Sequence, residues 1–185
     1  MDRKRKILID NVDQLITDEM RACIGRAAPP VELPEEISAS DVRRFVDIVG
    51  ETNMLYRDAE YAKQFGYKGR VVPPMVVVQM FRRIDDEEGK NSDWQSSDWL
   101  QLPLPEHYSV SRNAGHEFAW LAPVYVGDRL TLQQRFTDIY AKQGRAGVPV
   151  IYLVREVEIR NQHGQAVVRQ TSTTAKLPAS FGGVE

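Results

Sequence analysis

The chain has 185 residues, 42% of them apolar and 27% charged, with a net charge of -2; this is the make-up of one globular domain with a sizeable core. The near-neutral charge gives no electrostatic footing for a nucleic-acid or membrane partner. Cys23 is the only cysteine, which excludes an intrachain disulfide, and the three histidines lack zinc-ligand spacing, so no metal or cofactor is expected. The basic start, residues 1–6, reads as a solvated terminus. The apolar run behind it, Ile7-Leu8-Ile9, is too short for a signal peptide. Residues 71–84, the longest apolar segment, hold two prolines and two arginines and are too short to cross a bilayer. A cytoplasmic protein is the expectation.

In chain order, Thr17 caps a helix starting at Asp18 that Gly25 ends, and residues 28–34 form a proline-rich extended link. Ser38 or Ser40 starts a second helix running to Gly50. Its apolar positions Val42, Phe45, Val46 and Val49 share one face at three- and four-residue spacing. A short helix over residues 58–65 is closed by Gly66. Pro73 and Pro74 are tolerated only before or in the first turn of a helix, so a long helix begins there and runs to about Asp85. It is apolar nearly all round at its start, which predicts burial on most sides. Residues 86–101 read as a polar loop carrying Trp94 and Trp99.

From Glu106 the pattern changes to strands. Phe118 and Trp120 alternate with Glu117 and Ala119; Leu130, Leu132 and Phe136 follow, then residues 150–159 and 166–176. Gly127-Asp128 and residues 161–164 are turn signals between them. The run Ile151-Tyr152-Leu153-Val154 is apolar on both faces, as in a central strand. A buried helix followed by a long antiparallel sheet makes an α+β protein, with no doubly wound sheet because no helices separate the strands. The organisation expected is an N-terminal helical extension over 1–27 packed outside, one domain over 28–178, and a tail over 179–185.

Two segments carry a family resemblance. One is Gly50-Glu51-Thr52-Asn53-Met54-Leu55-Tyr56 with the glycine-bearing run 66–75 behind it; the other is residues 113–130, ending Ala122-Pro123-Val124-Tyr125-Val126-Gly127-Asp128-Arg129-Leu130. Together they resemble the MaoC-like hydratases and dehydratases, and the stretch 137–145 resembles the N-terminal, fatty-acid-synthase-type dehydratase members. The resemblance spans roughly residues 38–176. It implies a hot-dog fold, the long helix wrapped by the sheet, and an enoyl or 3-hydroxyacyl thioester of CoA or a carrier protein as ligand. It also implies a working unit of two hot-dog domains, so the chain pairs with itself or with a MaoC-like catalytic subunit. The activity implied is that of a lyase of fatty acid metabolism; a non-catalytic acyl-binding subunit is the alternative, and a hot-dog thioesterase is a third reading.

The usual loop of that family reads Gly-Asp-x-Asn-Pro-x-His, and here Glu51 stands for the aspartate, Met54 for the proline and Tyr56 for the histidine. Hydration of an enoyl thioester needs a carboxylate to deprotonate water, a second acid–base group, and a donor for the thioester oxygen. Glu51 retains a carboxylate, one methylene longer, or is a surface carboxylate at a helix end. Tyr56 is a poor base at neutral pH, with an ordinary pKa near 10, and serves as a donor or as a packed phenol. Asn53 retains the motif's amide, which holds the loop by side-chain-to-backbone bonds or touches the substrate. The family's His-Gly donor step falls at Pro73-Pro74, where no N–H exists; Met75, Val76 or a side chain is left to replace it. The same proline-containing start occurs in the non-catalytic halves of paired members. His116, on one face with Phe118 and Trp120, is the remaining acid–base candidate or a structurally satisfied histidine. Val72, Pro73 and Met75 border the implied acyl site, and Arg70 with Lys68 is placed to meet phosphates.

Overall fold

The computed structural model describes residues 12–87, 102–144 and 147–181, with the side chains of residues 81–87 left aside. Five strands form one antiparallel sheet: β1 (Val31–Glu32), β2 (Val110–Trp120), β3 (Leu130–Gln143), β4 (Pro149–Asn161) and β5 (Ala166–Leu177). Their order across the sheet is β1-β3-β4-β5-β2, with every neighbouring pair antiparallel. The helices are α1 (Asp18–Arg21), α2 (Ala39–Ile48), α3 (Ala59–Gln64) and α4 (Pro74–Glu87). The polar loop expected over 86–101, with its two tryptophans, lies outside the described residues apart from its first two positions, which α4 takes up.

The helix starts follow from their caps. Ser38 makes a reciprocal capping box with Asp41, Asn53 caps the single 3-10 turn Met54–Tyr56, and Asp58 caps α3 through two backbone N–H groups. Thr17 does cap α1, but that helix stops after one turn at Arg21. The chain then turns to run beside β3, where Gly25 N–H donates to Phe136 O and Ala28 N–H to Gln134 O. α2 buries Val42 and Val46 while Val49 stays exposed, because the helix ends at Ile48 and Val49 is its C-cap.

α4 lies against one face of the sheet, which is the hot-dog arrangement. Val76, Val77 and Met80 pack on Leu130, Leu132, Val157, Ile159, Val167 and Val168. Burying a valine of this kind contributes about 1.5–3 kcal/mol. Both Val167 and Val168 reach this core because the register slips by one residue beside them, between Ile159 and Arg160 of β4. Beneath the other end of the same face, Leu15, Ile16, Met20 and Cys23 pack on Phe136, Ile139, Ile151 and Leu153. The N-terminal segment thus shares the sheet's core from Leu15 onward.

β4 is central in the sheet, but from Ile151 onward only its odd-numbered residues are buried. The outer face is half-exposed and polar: Arg135 and Arg169 pair with Glu156, and Arg169 and Arg160 with Glu158. Further along it, Tyr152 stacks on Tyr140 with centroids 5.1 Å apart. The expectation of a strand covered on both faces therefore gives way to one covered side and one ion-paired side. Among the described residues no helix is long and apolar enough to cross a membrane.

Candidate functional site

The loop that carries Glu51 leaves α2 through Gly50, whose φ of +67° suits glycine. Glu51 N–H donates to Val46 O at 2.8 Å. Its carboxylate turns back on the loop, where Oε1 accepts from Asn53 N–H at 2.8 Å, and Asn53 Oδ1 in turn accepts from Leu55 N–H at 3.0 Å. Arg57 closes the arrangement. Its Nε and Nη2 donate to Glu51 O at 2.9 and 2.8 Å, and Nη1 pairs with Asp47 at 3.0 Å. Both motif side chains, Glu51 and Asn53, are thereby engaged in holding the loop's own backbone.

Tyr56 is the member of the motif that faces a cavity. A cleft of about 290 Å³ opens between the loop, the start of α4 and the end of β2, lined among others by Tyr56, Tyr67, Pro74, Val77, Trp120 and Val168. Burial pushes the Tyr56 phenol above its usual range, and the neighbouring Glu51 carboxylate and then Tyr67 add to the rise. The phenol is therefore neutral at physiological pH, a form suited to donate a hydrogen bond and not to act as a base. Glu51 and His116 are not among the residues lining this cleft.

Pro73 is buried and Pro74 stands as the first residue of α4, so neither offers a donor where the chain enters the long helix. Val76 N–H is taken up by Pro73 O at 2.9 Å, which removes one of the two backbone replacements. Met75 is largely exposed. Val72 is buried and ties this segment to the strand side through Val72 N–H to Val124 O at 2.8 Å. Arg70 Nη2 donates to Ala39 O at 2.9 Å, so part of its fork is used in holding α2, while Lys68 is exposed.

His116 lies on β2 with Phe118 and Trp120 on the same face, the three rings stacked in sequence. Its Nδ1 is 2.9 Å from Gln170 Nε2 on β5. Of the three, Trp120 reaches the Tyr56 cleft. The structure thus gathers Tyr56, Val72 and the start of α4 into one cleft, which Glu51 and His116 do not line. Trp120 and Tyr67 were readable only as apolar pattern. Arg57 and Gln170 carry no motif signal, since their partners are distant in sequence or are backbone atoms.

A model of the FAS1-like dehydratase domain region matches residues 22–170. The chain belongs to this family. A relative described as a UPF0336 protein, from Streptomyces avermitilis, is 30% identical over 86% of this chain and 95% of its own length. Among solved structures, the ChsH1-ChsH2 complex from Mycobacterium tuberculosis matches with a TM-score of 0.64 and 13% identity, over 90% of this chain and 91% of that one. An (R)-hydratase from A. caviae involved in PHA biosynthesis matches with a TM-score of 0.53 and 22% identity, over 84% and 96%. The chain is a FAS1-like dehydratase domain with the hot-dog fold of these structures.

Proposed function

We propose that this FAS1-like dehydratase domain binds an enoyl or 3-hydroxyacyl thioester, of CoA or of a carrier protein, in the Tyr56 cleft, and that a second hot-dog domain completes the reacting groups. The observation that carries this reading is that, among the described residues, no carboxylate lines the cleft. The cleft is walled by Tyr56, Pro74, Val77, Trp120 and Val168, an apolar site with few polar groups, as acyl-binding pockets are. The carboxylate of Glu51 is meanwhile held by Asn53 N–H, and the prolines remove backbone donors at the start of α4. The second domain is a further copy of the chain or a MaoC-like subunit with an intact Asp and His. The two-component nature of the ChsH1-ChsH2 complex supports the latter. The setting is the cytoplasm and fatty acid metabolism.

A second reading rests on the influence of Glu51 on Tyr56. It makes the chain a hydratase on its own, with a rebuilt site in which Glu51 and His116 share the acid–base work and Tyr56 donates to the thioester oxygen. Calorimetric titration with butanoyl-CoA separates binding from chemistry. Wild type should bind, and Trp120→Ala, which removes a cleft wall, should weaken binding roughly tenfold, the effect of losing about 1.4 kcal/mol. Equal affinity in both proteins contradicts the placement of the acyl group in this cleft.

A further inference from the structure

The inner face of β2 carries a row of rings that begins in the cleft. Trp120 lines the cleft, Phe118 stacks on it at 5.4 Å and 3° between planes, and His116 follows at 6.3 Å and 21°. These two steps carry the row less than 12 Å from the Trp120 ring. The neighbourhood changes along the way. Across the sheet from Trp120 stand Val168 and then Ile159; across from His116 stand Ser172 and then Arg155, both buried. The row of rings therefore ends beside polar side chains, with Gln170 already across from Phe118.

His116 is held in one orientation. Gln170 is buried, and its Nε2 lies 2.9 Å from His116 Nδ1. An amide nitrogen only donates, so Nδ1 is the acceptor and the ring proton sits on Nε2. The ring itself is exposed. The row thus ends in an accessible N–H donor whose direction a buried glutamine sets.

We propose that His116, oriented by Gln170, selects acyl groups that carry an oxygen near their far end: the ligand is a long, distally oxygenated acyl thioester, not a short or wholly aliphatic one. This rests on the acyl-thioester reading of the cleft. In this role Trp120 and Phe118 support the chain, and His116 Nε2–H donates to a hydroxyl, keto or carboxyl oxygen at its end.

The test is calorimetric titration of the chain with butanoyl-CoA, decanoyl-CoA and ω-hydroxydecanoyl-CoA. Wild type should favour the hydroxylated probe over decanoyl-CoA by about fivefold, the scale of one neutral hydrogen bond. His116→Ala should erase that preference, and His116→Gln, which keeps an N–H donor, should restore part of it. Equal wild-type affinity for the two long probes overturns the proposal. So does a His116→Ala effect of the same size on all three probes, which marks a packing or partner-contact residue. Failure of all three probes to bind removes the acyl-thioester reading, and this proposal with it.

Discussion

The carboxylate of Glu51 accepts a hydrogen bond from the backbone N–H of Asn53, two residues on, at 2.8 Å. A carboxylate so placed caps its own loop, and the cleft beside it is left to Tyr56. Asn53 and Asp58 make the same bond to the N–H two residues on with a shorter side chain, so an aspartate at position 51 would reach it as well.

The loop should depend more on Arg57 than on Glu51. Arg57 makes two hydrogen bonds to Glu51 O and an ion pair with Asp47. Bonds from a charged donor are worth about 1.5–3 kcal/mol, whereas an exposed ion pair contributes about 0–1 kcal/mol. Arg57→Ala is expected to lower stability by roughly 2 kcal/mol, and Asp47→Asn by less than half of that. Glu51→Ala should cost about 1 kcal/mol, as loss of a cap does. Urea denaturation midpoints at constant m-value measure all three. An Asp47→Asn loss as large as that of Arg57→Ala would show that charge, not the carbonyl bonds, holds the loop.

Alkaline pH should loosen the cleft. Tyr56 and Tyr108 are both raised above the usual phenol range, Tyr56 by burial, then Glu51 and Tyr67, and Tyr108 by burial. A group with a raised folded-state pKa contributes stability that is present below its unfolded value near 10 and is lost as pH rises through the folded value. Stability should therefore fall above about pH 10. In a spectrophotometric phenol titration, Tyr56→Phe should remove one late-titrating component. A wild-type curve in which all seven tyrosines titrate together in the ordinary range would contradict this.

Much of the architecture was legible because each local signal agreed with the global one. Two prolines before an apolar run mark the start of α4, alternation marks β2 to β5, and Ser38, Asp58 and Gly66 mark the helix ends. What escaped depends on register. The slips beside Thr137 and Val167 shift which residues face the core, and no composition cue announces a bulge. The ring row on β2 was legible from alternation, yet its Gln170 anchor was not, because 54 residues separate the pair. The loop motif showed which residue types had changed, but the direction of Glu51's carboxylate is set by backbone geometry that a motif does not contain.

The open edge of the sheet should drive association. The chain from Ile24 to Leu33 runs along the outer side of β3, whereas no strand among the described residues covers the outer side of β2. An eleven-residue unpaired edge favours strand addition. Light scattering of the purified chain should give a dimer or larger. Placing a proline at Glu117, in the middle of β2, should weaken that association. A monomer at all concentrations would point to obligate pairing with a separately encoded subunit.

The central claim is that this chain binds acyl thioesters but lacks a complete reacting set of its own. The measurement that tests it most directly is the absorbance assay of crotonyl-CoA hydration by the purified chain, with Glu51→Gln and His116→Ala beside it. Turnover should lie at least about a hundredfold below that of an active hydratase, the cost of a single missing oxyanion donor, with no further loss in either variant. Robust turnover by wild type that either substitution abolishes would contradict it and make Glu51 or His116 part of a rebuilt active site.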